Sequence, residues 1–250
     1  MLDDWIKPLK LRMSIDEFHR LPRRAGCKFE YFNDHAWITP RLRRRHAVLE
    51  LRPMRSVLPS DSRDIEFRLL DQLDWDRLAL LFAGAFSDHP VLENLTDSSR
   101  REAAADCLNT TRSGGDGALV QEASFVATAS DGKLIGAILV TRVERREIEH
   151  PMLLKGSAEE GVSVETVPHL TWVFVSPWQS RRGVATSLLA GTCHALLASN
   201  QTHLYSTFVE GNESSMLWHW RNGFDLLPSI ESNFAKMRRT AETANHVEAS

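Results

Sequence analysis

Cysteine is scarce in this chain: 250 residues contain three, Cys27, Cys107 and Cys193. They lie far apart, their number is odd, and none forms a C-x-x-C pair. That pattern excludes a disulfide framework and a cysteine zinc cluster, and it suits free thiols in a reducing compartment. Long apolar runs are also missing, since nothing approaches the about 18 residues of a membrane span. The opening residues, MLDDWIKPLK, carry no apolar signal-peptide core, so a cytoplasmic location is expected. Charge of one sign is not in excess. The net value of −3 gives the whole chain no footprint for a polyanion. No internal repeat or low-complexity tract is present, and the histidines show no metal-ligand spacing, so no metal is assigned. What remains is ordinary for a soluble globular protein: 42% hydrophobic and 25% charged residues, enough for a real core. The length suggests one large domain, or one domain with an appendage.

Residues 1–60 differ in texture from the rest. Ser14-Ile15-Asp16-Glu17 reads as a capping box that opens a short helix ended by Pro22. Lys28–Phe32 and His35–Thr39 flank Asn33-Asp34, a hairpin signal. Arg41–His46 is a basic run, and Ala47–Leu51 alternates as a strand. A nucleic-acid contact and a solvated edge strand both fit the basic run, and the edge strand is the plainer reading. Pro53, Pro59 and Ser60–Asp64 have the composition of a linker. The expected division is therefore a small helix–hairpin extension over 1–60, a main domain over 61–237 and a disordered tail over 238–250.

In the main domain, Ile65–Leu70 reads as a strand. Asp74–Phe86 is an amphipathic helix with Trp75, Leu78, Leu81, Phe82 and Ala85 on one face. Ser98–Thr111 is a second helix, capped by Ser98 or Ser99 and broken by Ser113–Gly117. Ser124–Ala129 and Leu134–Val143 are strands joined at Asp131-Gly132. The polar stretch 144–168 is long for a connection between strands. Then come a strand ending at Val175, a helix over 181–199, a strand at His203–Val209, a helix over 212–222 and a strand after Phe224.

The stretch Val175–Leu189, VSPWQSRRGVATSLL, joins an apolar strand to a helix through a basic loop. Free N–H groups and the helix dipole make such an N-terminus a site for a phosphate ester. Gly183 leaves the backbone open to a ligand, and Arg181 and Arg182 add charge. Val175, Pro177, Arg182, Gly183, Val184, Ala185, Leu188 and Leu189 resemble the acetyl-CoA loop of GCN5-related N-acetyltransferases. Downstream, Asn212–Phe224, NESSMLWHWRNGF, is similar to that family's second motif, with Asn212, Ser215, Gly223 and Phe224 in register. The resemblance covers residues 65–237. Residues 1–55 faintly resemble the N-terminal part of Uma2-like endonucleases, with Glu30 and His46 at suggestive places. A small structural extension is the simpler reading.

The resemblance implies an α+β fold: a mixed, mostly antiparallel sheet with splayed central strands and flanking helices. It implies acetyl-CoA as co-substrate, a small-molecule or protein amine as acceptor, and direct attack in a ternary complex. Backbone groups of Val173, Phe174 and Val175 would hold the pantetheine arm. The N–H groups of Arg181, Arg182, Gly183, Val184, Ala185 and Thr186 would hold the pyrophosphate, and Asn212 would contribute to the cofactor site. Two departures stand out: Ser180 replaces the family's Gln or Arg, and His219 replaces its general-acid tyrosine. His219 is thus the candidate acid, against a packing role between Trp218 and Trp220. A base used by some family members would fall at Thr207, which cannot act as one. Glu165 is the candidate base, with His169 and Glu210 as alternatives. Trp172, Trp178, Trp218 and Trp220 are read either as an acceptor pocket or as packing. The two departures also admit a rival from another class, a non-catalytic acyl-CoA-binding module.

Overall fold

The computed structural model describes residues 8–22, 27–40, 43–54, 64–89, 92, 95–149 and 165–228. The expected linker (mostly), the greater part of the 144–168 connection and the expected tail lie outside them. Among the described residues no helix is long and apolar enough to cross a membrane, and the three cysteines are unbridged.

The first part of the chain forms β1 (Leu9–Arg12), α1 (Ile15–Arg20), β2 (Cys27–Phe32) and β3 (His35–Pro40). The capping box is present, with Ser14 and Glu17 bonding each other's backbone N–H. Asn33 and Asp34 take φ values of 50° and 55°, the left-handed pair a two-residue hairpin turn needs. The three strands make a separate sheet in the order β1-β3-β2. β1 was not legible in the sequence, because four residues, LKLR, carry too little pattern without their partner strand.

The main sheet contains β4 (Arg44–Glu50), β5 (Ile65–Leu69), β6 (Ala118–Leu119), β7 (Phe125–Ala129), β8 (Leu134–Glu144), β9 (Thr166–Val175), β10 (His203–Val209) and β11 (Asp225–Leu226). Its order is β11-β4-β10-β9-β8-β7-β5, with β6 beside β8. Among the described strands only β9 and β10 pair in parallel. The helices are α2 (Trp75–Ala85), α3 (Asp97–Arg112), α4 (Arg145–Glu149), α5 (Val184–Ala198) and α6 (Glu213–Arg221). This is the mixed, mostly antiparallel α+β architecture expected.

Among the described residues, two large cores cover the two faces of the sheet, beside a smaller cluster of Ile148, Val167 and Tyr205. On one, Val184, Leu188, Leu189, Cys193 and Leu196 of α5 pack on Ile138, Val140, Leu170, Leu204 and Phe208. Gly136 permits the close approach, since a Cβ there would stand 3.0 Å from Val184 and 3.2 Å from Leu188. On the other, Trp75, Leu78 and Phe82 of α2 pack with Ala137, Leu139 and Phe174. The cap of α3 is Thr96, which accepts from Ser99 N–H, and not Ser98 or Ser99.

The largest correction concerns β4. It is not an edge strand and does not belong to a detachable extension. It lies between β10 and β11, pairing with β10 over all seven of its residues. Ala47, Leu49 and Leu51 are buried in the α5 core. The basic composition of Arg41–His46 suggested an edge, but Arg45 is offset by an ion pair with Glu210 at 3.0 Å. A boundary at residue 60 would therefore cut through a single core instead of separating two units.

Candidate acyl-CoA cleft

β9 and β10 run parallel but pair at only two positions, His169 with Tyr205 and Leu170 with Ser206. The cause lies on the other edge of β9. Leu139 pairs with Trp172 and Val140 with Leu170, which leaves Thr171 without a partner. An extra residue of this kind bends a strand and breaks its ladder, and such bulges favour active sites. Beyond Leu170 and Ser206 the two strands no longer share a ladder. Val173, Phe174 and Val175 line the β9 side of the opening, and Thr207, Phe208 and Val209 line the β10 side. The inner edges of a parallel pair that separates retain backbone N–H and C=O groups able to bind an extended amide-bearing ligand.

The strand leads straight into the phosphate-type loop. Pro177–Gln179 is a 3₁₀ turn, closed by Ser180, whose hydroxyl donates to Pro177 O at 2.7 Å. Arg181 and Gly183 then take left-handed φ values of 62° and 78°. Left-handed residues in such a turn aim successive N–H groups into one concavity. Gly183 caps α5 and offers no side-chain acceptor, and the first turn holds no acidic residue. The first helical bond is Ser187 N–H to Gly183 O, so the N–H groups of Val184, Ala185 and Thr186 precede the ladder. Arg182 is steadied by Gln179 at 2.8 Å. All the sequence-chosen loop residues thus lie together at the end of β9.

Asn212 caps α6, its side chain accepting from Ser215 N–H and the Ser214 hydroxyl. This explains its place in the motif on local grounds.

His219 falls in the core. It is 4% exposed, with ring centroids 4.7 Å from Phe208 and 4.8 Å from Phe224. Nδ1 lies 2.8 Å from Ser215 O and Nε2 lies 2.8 Å from Ser206 Oγ. A carbonyl only accepts, so Nδ1 carries the proton and Ser206 donates to Nε2. Burial lowers its pKa, outweighing the Ser215 bond. The one proton of the neutral ring is held by Ser215 O and the other nitrogen accepts from Ser206, so none is free for a leaving thiolate, and the geometry favours the packing role over the acid role. His219→Phe is expected to lower stability by about 1–3 kcal/mol, for one buried hydroxyl left without its acceptor, and to leave any turnover number within a few-fold. Urea unfolding and steady-state kinetics check both, and a turnover loss of ~10² or more would restore the acid.

Glu165 is also displaced from the reacting region. It precedes β9, at the end opposite the opening, and pairs with Arg145 at 2.8 Å. Glu210 is held by Arg45. The tryptophans do not form one pocket. Trp172 joins Phe82, Phe86 and Phe174, Trp218 packs on Phe224, and Trp178 and Trp220 are 90% and 75% exposed. Glu30 pairs with Lys28 on the small sheet, whereas His46 belongs to the main sheet.

What sequence reasoning missed is a polar line on the face opposite α5. His46 Nδ1 is 2.9 Å from Thr207 Oγ1, and His169 Nε2 is 3.0 Å from the same hydroxyl. His169 Nδ1 is 3.3 Å from Thr171 Oγ1, and Thr171 Oγ1 is 2.8 Å from Thr141 Oγ1. Thr141 donates to Asp116 O at 2.7 Å. The side chains come from four strands and the final carbonyl from the turn at Asp116, so no spacing in the sequence could disclose them. Burial first, then His46 and His219, push His169 down to about 3. Burial and Arg44 lower His46, and burial lowers His89.

These depressed histidines make stability pH-dependent. Each is neutral in the folded state where the unfolded chain, near 6.5, takes up a proton. The stability they contribute is complete above about pH 6.5 and declines as pH falls towards the folded values. For His169 that window runs from about 6.5 to about 3. Between pH 7.5 and 5 it alone withdraws at most about 2 kcal/mol. Urea midpoints at the two pH values test this, and equal midpoints would contradict it.

Among the described residues no group of three or more His, Cys, Asp or Glu is placed to hold a metal ion. No protein-family model matches the chain, and no curated protein matches it. Among solved structures, it is similar to a GCN5-related N-acetyltransferase from Sphaerobacter thermophilus at 17% identity and TM-score 0.47, over 74% of this chain and 50% of that one. It therefore spans half the length of that protein. It is also similar to PH1933 from Pyrococcus horikoshii at 18% identity and TM-score 0.46, over 66% and 91% of the two chains. A third likeness, at 20% identity and TM-score 0.42, is to the aminoglycoside N-acetyltransferase AAC(6')-Iy in complex with CoA, over 66% and 91%. Likenesses at these identities and scores do not carry a function from one chain to another.

Proposed function

We propose that the chain is an acyl-CoA-dependent N-acetyltransferase that passes acetyl from acetyl-CoA to a primary amine by direct attack. The observation that carries this reading is the pairing of an opened parallel strand pair with a phosphate-type helix start at its end. β9 leaves β10 at Thr171, and β9 runs directly into Arg181–Thr186 and the uncapped start of α5. The first element suits an extended pantetheine arm and the second a pyrophosphate. The two motifs VSPWQSRRGVATSLL and NESSMLWHWRNGF supply the same reading from the sequence.

The chemistry follows from the cleft. A thioester carbonyl placed between the strands would meet a backbone N–H of β9 as charge grows on its oxygen. The amine attacks that carbon, the C–N bond forms, the C–S bond breaks, and the thiolate leaves. With His219 neutral in the core, the departing sulfur takes its proton from water. Direct transfer needs no cysteine nucleophile, consistent with Cys107 and Cys193 being buried.

The test is release of free CoA thiol from acetyl-CoA with an amine panel: a dipeptide, an Nα-blocked lysine, spermidine and an aminoglycoside. Amine-dependent release supports the reading. CoA binding without release for every amine favours the non-catalytic module, for which Ser180 and the lost tyrosine are the motive.

A further inference from the structure

The polar line has a direction that fixes where every proton sits. Thr141 gives its hydroxyl proton to the Asp116 carbonyl, which can only accept. The 2.8 Å contact between Thr171 and Thr141 must then hold the Thr171 proton. Were that proton given to the His169 carbonyl instead, at 3.4 Å, two oxygens would face each other with none between them. Thr171 Oγ1 therefore accepts from His169 Nδ1–H. A neutral ring protonated at Nδ1 has its lone pair on Nε2, so Thr207 donates there. With its own proton used, Thr207 accepts from His46 Nδ1–H. Every bond from His46 to Asp116 points the same way, and the lone pair of the first ring is left on His46 Nε2. Among the described residues no hydrogen-bond partner is recorded for that atom.

Register places this lone pair. His46 lies opposite Thr207, one residue past Ser206, the last β10 residue that pairs with β9. Its ring is thus at the level where the strands part. Ser206 faces α6, so Thr207 and His46 are on the other face, away from α5 and α6.

We propose that His46, carried in by the N-terminal strand β4, is the catalytic base that takes the proton from the acceptor ammonium, with Thr207 and His169 as positioning residues. This rests on the acetyltransferase reading above. The proton leaves R–NH₃⁺ for His46 Nε2, and the freed amine pair forms the C–N bond. The thioester C–S bond breaks and its electron pair leaves on sulfur. The imidazolium then returns its proton to water. The line favours the charged ring, because a chain of donors ending in a carbonyl strengthens as His46 Nδ1–H becomes more acidic. Among the described residues, Arg44 on its own strand and His169 on β9 are the charged and titratable groups coupled to the ring, and Asp225 on β11 lies opposite Val48, two residues along the strand. Burial, and after it Arg44, hold His46 below its usual value, so its acid limb should fall under pH 6.5.

His46→Asn retains a donor towards Thr207 and removes the ring lone pair. The expected result is a ~10²–10⁴-fold loss in kcat/KM with the best amine of the panel, unchanged CoA affinity by calorimetry, and disappearance of the acid limb. The limb set by the acceptor's own amine remains in both proteins as a reference. Thr207→Val should cost about 10-fold and move the limb. Imidazole ¹⁵N spectra at pH 7.5 provide a readout independent of turnover: His46 and His169 should both be protonated at Nδ1. Near-parental turnover in a CoA-binding His46→Asn protein, or a His46 ring protonated at Nε2, overturns the proposal alone. Absence of turnover by the parent with every amine overturns it together with the acetyltransferase reading.

Discussion

A chain beginning at Asp61 should fail to fold cooperatively, and with the fold it should lose CoA binding. β4 occupies the interior of the main sheet. Removing it bares the whole of β10, seven residues long, and detaches β11. It also takes Ala47, Leu49 and Leu51 out of the α5 core. Two buried leucines alone represent about 3–6 kcal/mol of burial, and the strand's ladder adds to that, against a total stability of about 5–15 kcal/mol for a typical domain. The opened β10 would also be an aggregation edge. Circular dichroism and thermal melting of the truncated chain read this directly. Residues 1–60 supplied in trans should restore a cooperative transition. A truncated protein that melts cooperatively and binds CoA like the parent would show that β4 is an ornament.

Gly183→Glu should reduce CoA affinity by ~10²-fold or more in a protein that still folds. Gly183 has φ 78°, at the N-terminus of α5. A glutamate there bears a left-handed strain of about 1 kcal/mol, too little to unfold the domain. Its carboxylate, however, enters the position offered to a diphosphate, repels it, and competes for the N–H groups of Ala185 and Thr186. Calorimetric titration checks the affinity, and a melt checks the fold. Gly183→Ala separates strain from charge, because it has the first without the second and should lose far less. Equal CoA affinity in parent and Glu variant would remove the loop from the site.

Much of the site was legible because it is local. Arg181, Gly183 and the start of α5 are contiguous, and turn chemistry and helix starts are written in adjacent residues. The same holds for the Ser14–Glu17 box and the Asn33-Asp34 turn. What could not be read was non-local. Nothing in RRHAVLE says that its partner is HLYSTFV, more than 150 residues on, nor that Pro53–Asp64 separates two pieces of one sheet. The bulge at Thr171 comes from a mismatch between two strands, not from a residue type. His219 was weighed as an acid because of its motif position, and only the bonds to Ser206 and Ser215 reveal a core histidine. His46, His169, Thr171, Thr141 and Thr207 meet only through pairing across four strands, so their line was invisible until the register was known.

The most direct measurement of the central claim is backbone amide hydrogen exchange with and without acetyl-CoA. The account predicts new protection at Val173–Val175 and at Arg181–Thr186, the β9 side of the opening and the start of α5, with the α2–α3 face little changed. Protection confined to other segments, or none at saturating acetyl-CoA, would contradict it.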